Sequence, residues 1–399
     1  MMETEKNQDF EITIISERGC ENIASKDIKE RYKLDITNQG DSFIDLNASE
    51  EKIYDLIYTS QISKRILLKL ANGEFDGTIQ DLKNNVFEKI NQRNISEINE
   101  KKIRCVCERK GTHEFNSVEA ETEIASIIKQ KTNSTIDLKT PEIKLFLNII
   151  DKTYTLGIDI SGIDLSKRQY KVFNNPNSMK GTLAYSLLIF AGIKKNSVIT
   201  DPFSLSGIIP IESALYQSET PVNFYEKNIR ISNLKSLNQE RFEKIRKELD
   251  KKTSNNIKGK IYSIDASFNN IAAQKKNAKI AGIEKCILFS RNKPEDIDLK
   301  LSDTKVDIIA SRIMEPSKNL NEKKVEKIYD EFLKNSKNIS KKNTTFAFLV
   351  RKPELLIRKA EEHGYLLTES IDVYQGEEKI KMLKLILTDK TKKVLEEKK

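Results

Sequence analysis

Histidine is nearly absent from this chain. Among 399 residues there are two, His113 and His363, which excludes a His-rich zinc site and leaves few candidates for a Ser-His-Asp triad. Cysteine is scarce too: Cys20, Cys105, Cys107 and Cys286 form no CxxC pair and follow no regular spacing. Cys105 and Cys107 sit two apart on a predicted strand, so they face the same way and read as small core residues. No signal peptide is apparent, and a reducing cytoplasm is the expected setting. Long apolar runs are missing as well. The longest, LAYSLLIFAGI at 183–193, falls well short of the roughly 20 residues a membrane span needs. It reads as a buried helix, and no membrane partner is expected. Glycine is sparse where it would matter most. The stretch DPFSLSGIIPIE, 201–212, follows a β-prone run at 197–200 and precedes a helix-compatible run at 209–216. That is the layout of a loop at the carboxyl end of a strand, feeding a helix N-terminus. Such loops hold nucleotide-like cofactors and usually need several glycines. This one has Gly207, with Leu205 where a second glycine would stand.

What is present is charge. Lys+Arg total 69 against 60 Asp+Glu, a net charge of +9, with charged residues at 32% and hydrophobic residues at 38%. A positive excess of this size suits a phosphate-rich partner, although a lysine-rich surface would give it equally. The length allows two or three domains. The first part alternates as two small α+β units. Strands are expected at 10–15, 41–47, 65–70, 102–111 and within 142–160, and helices at 21–32, 50–60, 78–90 and 118–130. From Val198 onward short β-rich runs at 198–200, 260–265, 285–290, 306–311 and 344–350 alternate with helical runs. That pattern means a parallel sheet covered on both faces, with a final strand pair closing its edge. The segment 235–260 interrupts the alternation with nine Lys or Arg and four Asp or Glu, and reads as a solvated helix. His363 before Gly364 suits a helix C-terminus.

Three runs carry a resemblance. RCVCERKGTHEFNSVEAE (104–121) resembles the core of the THUMP domain, an RNA-binding module, and TYTLGIDISGIDLSKRQYKVF (153–173) resembles its last strand and the basic linker after it. NSMKGTLAYSLLIFAGI followed by DPFSLSGIIPIESA resembles the entry to an S-adenosylmethionine-dependent RNA methyltransferase domain. The family form of that loop is close to DPFCGSGTIPIEAA, and ten of the 14 positions from Asp201 to Ala214 agree. The resemblance covers essentially the whole chain and implies methylation of the exocyclic amine of guanine in tRNA or rRNA. The fold it implies is α/β. A ferredoxin-like N-terminal domain is expected at 1–60, a THUMP domain at 61–162, a linker and lead-in helix at 163–195, and a Rossmann-like class I methyltransferase domain at 196–399.

Residue by residue, the resemblance implies RNA contacts from Arg109, Lys110, His113, Lys167, Arg168, Tyr170 and Lys171, as phosphate donors or, for Tyr170, a ring that stacks on a base or else simply packs; a solvated linker is the plainer reading of Lys167–Arg168. Phe115 is expected to pack in the core. It implies cofactor contacts from Asp201, Phe203, Ser204, Ser206, Gly207 and Asp265, the last at the ribose position. A second family acid is replaced by Ser267, and the acid after the third strand stands as Asn292. After the fourth strand the family carries Asn or Asp, then Pro-Pro, then an aromatic residue, a tetrad that aims the guanine amine at the methyl group. Here the run is Ser311, Arg312, Ile313, Met314. Ser311 is a shorter acceptor, and Arg312 is a cationic donor, a poor neighbour for a cationic sulfonium. The expectation is therefore an RNA-binding protein, with tRNA or rRNA as partner and a degenerate methyltransferase site. S-adenosylmethionine is its cofactor if any is bound, and no metal is expected. An active enzyme with a diverged site is the alternative, and a scaffold offering Leu205, Ile313 and Met314 to a protein partner is a third reading.

Overall fold

The computed structural model describes residues 9–226, 229, 231 and 234–388. They fall into two compact units, one within residues 9–166 and 226–251, the other within 167–225 and 252–388.

The first unit runs β1 (Asp9–Ile15), α1 (Glu21–Asp27), β2 (Ile36–Gly40), β3 (Phe43–Ser49), α2 (Glu50–Thr59), β4 (Arg65–Glu74), α3 (Ile79–Asn91), β5 (Lys102–Lys110), α4 (Ser117–Thr132), β6 (Thr135–Ile136), β7 (Ile143–Ile150) and β8 (Thr153–Asp159). Its strands make one eight-stranded sheet in the order β2-β3-β1-β4-β8-β7-β5-β6. Antiparallel pairing of β1 with β4 carries the sheet across the boundary expected near residue 60. The helices begin where the sequence provides caps: Ser49, Thr78 and Asn116 each accept the backbone N–H three residues on, satisfying a donor that the first turn would otherwise leave open. Cys105 and Cys107 are both buried, and Phe115 is in the core.

The second unit opens with α5 (Gly181–Ala191), β9 (Ile199–Asp201) and α6 (Ile208–Ser218). Every residue of α5 is buried, as its unbroken apolar run requires. The chain then returns to the first unit for α7 (Gln239–Asp250). This is the charged segment, and it is a helix, but not a freely solvated one. Its Phe242 is fully buried against Tyr54 and Tyr58, with ring centroids 5.4 and 6.4 Å away. Arg241 pairs with Glu50 at 2.6 Å. Phe242, Ile245 and Leu249 recur at helical spacing, so the charged helix carries one apolar stripe.

The second unit resumes with β10 (Ile261–Asp265), α8 (Phe268–Ile280), β11 (Ile287–Arg291), α9 (Ile297–Lys300), β12 (Val306–Arg312), α10 (Glu322–Ile339), β13 (Ser340–Val350), α11 (Glu354–Glu362), β14 (Tyr365–Gln375) and β15 (Glu378–Leu387). The sheet order is β11-β10-β9-β12-β13-β15-β14. The strands from β11 through β13 pair parallel, and β15 inserts antiparallel between β13 and β14. From β9 the sheet grows to β10 on one side and to β12 on the other. That reversal opens a crevice outside the carboxyl ends of the strands, where ligands bind in such sheets. His363 caps α11 and its Nε2 lies 3.0 Å from Asp330. Among the described residues no helix is long and apolar enough to cross a membrane.

Candidate functional site

A cavity of about 320 Å³ occupies that crevice in the second unit. It falls within the size range of small-molecule sites. The β9–α6 loop forms one wall, and its conformation is fixed by side chains that turn away from the cavity. Ser204 donates its hydroxyl to the Asp201 carbonyl at 2.6 Å and accepts Ile264 N–H at 3.0 Å, stitching the loop to β10. Ser206 donates to the Ser178 hydroxyl at 2.7 Å. Gly207 has φ +80°, and a Cβ there would lie 3.0 Å from Gln274 Cγ, so both conformation and space demand glycine. Leu205 occupies the left-handed region too, at φ 49°, which is costly for a branched side chain. It nevertheless lines the cavity. Its N–H donates to Asp265 Oδ2 at 2.9 Å and its carbonyl accepts Gln274 Nε2 at 3.0 Å.

Asp265 reaches the cavity as expected, but its carboxylate already has partners. Beyond Leu205, its Oδ1 accepts Ser267 N–H at 2.8 Å and Asn270 Nδ2 at 3.0 Å. Asp201 lies buried behind the wall. Its Oδ1 accepts the Ser311 hydroxyl and, at 3.2 Å, the Phe203 N–H. Burial, opposed by the Ser311 hydrogen bond, raises its pKa from the ordinary 3.8 to about 7, because water no longer solvates the charge. Of the expected cofactor contacts, Phe203 and Asp265 line the cavity; Asp201, Ser204, Ser206, Gly207 and Asn292 do not. Asn292 turns its Oδ1 to the Ser290 hydroxyl at 2.8 Å.

At the end of β12 three of the four tetrad positions line the cavity and Ser311 does not. Ser311 is fully buried and faces Asp201. The cavity is lined by Arg312, Ile313, Met314 and Glu315. Alternation along the strand explains the difference: a residue directed at the buried Asp201 leaves its successor on the cavity side. Arg312, with its side chain 12% exposed, pairs with Glu378 at 3.2 Å through Nη2. Glu315 accepts the backbone N–H of Arg351 and Lys352 and the Nε of Arg351 at 3.0 Å. Arg351 also lines the cavity and reaches Glu378 at 3.3 Å. The sequence reading missed Asn270, Glu315 and Arg351. Asn270, in the first turn of α8 after Asp265, and Arg351, at the carboxyl end of β13, could have been found from strand ends alone.

The residues expected to face RNA separate into two groups. In the first unit, Arg109, Lys110 and His113 lie at or near the surface. His113 stacks on Phe75 with centroids 5.9 Å apart and is held by Arg109 at 2.8 Å and the Asp151 carbonyl at 2.5 Å. An Arg109 donor makes Nδ1 the acceptor, and the carbonyl makes Nε2–H the donor. In the second unit, Lys167 is exposed, but Arg168 and Tyr170 are not. The Arg168 and Glu212 side chains are fully buried and pair at 2.7 Å, and the Tyr170 hydroxyl donates to Glu212 at 2.6 Å. Burial and then the Glu212 charge push the Tyr170 hydroxyl pKa well up. Both residues tie the linker to α6 and are corrected from RNA contacts to core. Gly181 sits against this cluster, where a Cβ would fall 2.5 Å from Arg168 Nε and Glu212 Oε1. Lys171 is half-buried and donates to the Met179 carbonyl at 2.8 Å. Among the described residues no His, Cys, Asp and Glu cluster could hold a metal.

Comparison with known proteins bears on these units. The family model of the RMKL-like methyltransferase domain (UPF0020) matches residues 168–381, and that of the THUMP domain matches residues 77–159. A tRNA (guanine(6)-N2)-methyltransferase of Methanocaldococcus jannaschii is 31% identical over 189 residues, covering 45% of this chain and 49% of that protein. The protein of the same name from Archaeoglobus fulgidus is 24% identical over 211 residues, covering 51% and 53%. The chain thus spans about half the length of these curated relatives. Among solved structures, a possible methylase from Clostridium difficile 630 matches with TM-score 0.77 at 20% identity, over 96% of this chain and 99% of that one. TrmN from Thermus thermophilus matches with TM-score 0.68 at 17% identity, over 96% and 100%. At such identities the structures speak for the fold, a Rossmann-like methyltransferase fold after a THUMP domain. The chain belongs to the RMKL-like methyltransferase family and carries a THUMP domain.

Proposed function

We propose that this protein binds RNA in the cytoplasm, tRNA in the first place and rRNA as the alternative, and that its cavity does not transfer a methyl group. The observation that carries the second part is Arg312 in the cavity wall. In the resembling family this edge presents acceptors and an aromatic ring to guanine. Here it presents a guanidinium, two aliphatic side chains and a carboxylate that backbone and Arg351 N–H groups already occupy. A guanidinium repels a sulfonium and cannot accept a hydrogen bond from an amine. Ser311, which holds the first tetrad position, is sealed against Asp201. The residues therefore do not fit S-adenosylmethionine at its reacting end. The RNA part rests on the THUMP match, the tRNA-modifying names of the relatives, the exposed Lys167 and the partly exposed Lys110.

A second reading, an active guanine-N2 methyltransferase, is favoured by the activity in the relatives' names and by Asp265 lining the cavity at the end of β10. Incubation of the full chain with bulk tRNA and labelled S-adenosylmethionine separates the two, with RNA binding measured alongside against salt. The proposal expects salt-sensitive binding and no label in RNA. Label incorporated at a guanine amine overturns it in favour of the second reading.

A further inference from the structure

The charged groups of the cavity wall differ in how much hydrogen-bonding capacity they keep open, while Asn177 and Ser317 add neutral polar groups. Two carboxylates line it, Asp265 and Glu315. Asp265 accepts from Leu205, Ser267 and Asn270, and Glu315 accepts from Arg351 twice and Lys352 once. A carboxylate offers about four acceptor sites, so each is close to filled. The two guanidinium groups are in the opposite state. Arg312 engages Nη2 with Glu378, and Arg351 engages Nε with Glu315 and Nη1 with Glu378. A guanidinium carries five N–H donors, so most of those on Arg312 remain open.

Glu378 does not line the cavity, yet it holds both arginines, Arg312 on Oε2 at 3.2 Å and Arg351 on Oε1 at 3.3 Å. One carboxylate thereby fixes two like charges side by side at the cavity edge, a paired fork that suits an oxyanion. More positive charge stands next to it. Burial first, and then the repulsion of Lys180 and Arg312, hold the Lys171 ammonium below the ordinary lysine pKa. The opposite end is largely apolar, with Phe203, Pro294 and Ala266 beside Asn270 and the already engaged Asp265 carboxylate. The volume of about 320 Å³ is far more than an inorganic anion needs.

We propose that the cavity binds a nucleotide through its phosphate, with Arg312 and Arg351 as the phosphate ligands and the nucleoside extending toward Phe203, Pro294 and the Asp265–Asn270 edge. The inference rests on the reading that the cavity is not a methyl-transfer site, because a phosphate dianion and a sulfonium call for opposite charge at Arg312. The same chemistry can come from a free 5′-mononucleotide or from the phosphorylated end of an RNA strand.

The test is calorimetric titration of the full chain with AMP, GMP, adenosine, guanosine and a short oligoribonucleotide with and without a 5′-phosphate, repeated with Arg312→Gln and Arg351→Gln. Circular dichroism checks that each variant is folded, and Arg312→Lys serves as the charge-conserving control. The inference expects a phosphorylated ligand to bind at least tenfold more tightly than its unphosphorylated form, with that advantage lost in Arg312→Gln and partly kept in Arg312→Lys. If free mononucleotides carry the advantage, the ligand is a metabolite; if only the phosphorylated oligonucleotide does, it is an RNA end. Equal binding with and without phosphate, no binding of either, or a phosphate advantage untouched by both glutamine variants overturns the inference. Failure here leaves the absence of methyl transfer standing, whereas label incorporated into RNA in the methylation assay removes that reading first.

Discussion

The two ends of the cavity differ in how far their charges are already engaged. At the β9–β10 end, Asp201 is buried and tied to Ser311 and Phe203, and Asp265 is tied to Leu205, Ser267 and Asn270. These carboxylates hold the loop, the strand end and the helix start in place. At the β12–β13 end, Arg312 and Arg351 share Glu378 and keep open donors. Groups that carry the fold cannot change without unsatisfied polar atoms in the core, whereas groups that meet a ligand can change sign at little structural cost. A family's loop can therefore persist as scaffold while the opposite wall takes on different chemistry.

The largest test of that contrast sets Arg168 against Arg312. Arg168→Met leaves Glu212 charged in a fully buried place and is expected to cost about 3–5 kcal/mol. Arg312→Gln, at a partly open ion pair, is expected to cost under about 1 kcal/mol. Chemical denaturation measures both, and similar costs would erase the division into scaffold and ligand face.

Next come the two left-handed positions of the loop. Gly207→Ala adds a Cβ at φ +80° and 3.0 Å from Gln274 Cγ, and should destabilise by about 1–2 kcal/mol. Leu205→Gly relieves the same kind of strain while loosening the unfolded chain, so its stability change should stay within about 1 kcal/mol. A Leu205→Gly loss as large as that of Gly207→Ala would mean the leucine is a packing element of the loop.

Asp201 gives a pH-dependent version. Its folded pKa, about 7, lies above the ordinary 3.8, so the folded state holds a proton that the unfolded state has released. Its contribution to stability is fully present below about pH 4 and is lost as pH rises to about 7. Asp201→Asn, which cannot ionise, should flatten this part of the melting-temperature profile. An unchanged slope would show that Asp201 stays ionised in the fold.

The smallest effect is on the RNA side. Lys110→Gln or Lys167→Gln should each lower the salt slope of tRNA binding by about one counterion if that residue meets a phosphate. A slope unchanged in both would place the RNA face elsewhere.

Much of the architecture was legible because its signals are local. The apolar run of α5, the caps Ser49, Thr78 and Asn116, and the strand–helix alternation after Val198 each follow from residues within one or two turns. The short strands β2 and β6 were missed, since five and two residues carry little periodicity. The site was legible in part. Asp265 and Gly207 stood at positions that loop geometry dictates, but Arg168 and Tyr170 looked like surface residues because their partner, Glu212, lies more than 40 residues along the chain. Burial of that kind is decided by long-range pairing. The same holds for Ser311, whose direction is set by Asp201 across the β9–β12 contact.

The most direct test of the central claim is calorimetric titration of the full chain with S-adenosylmethionine. The account expects no saturable heat and no rise in melting temperature at millimolar ligand, because the donors of Arg312 and the filled carboxylates of Asp265 and Glu315 leave its cationic end no partner. Saturable binding in the micromolar range would contradict it and return the cavity to methyl transfer.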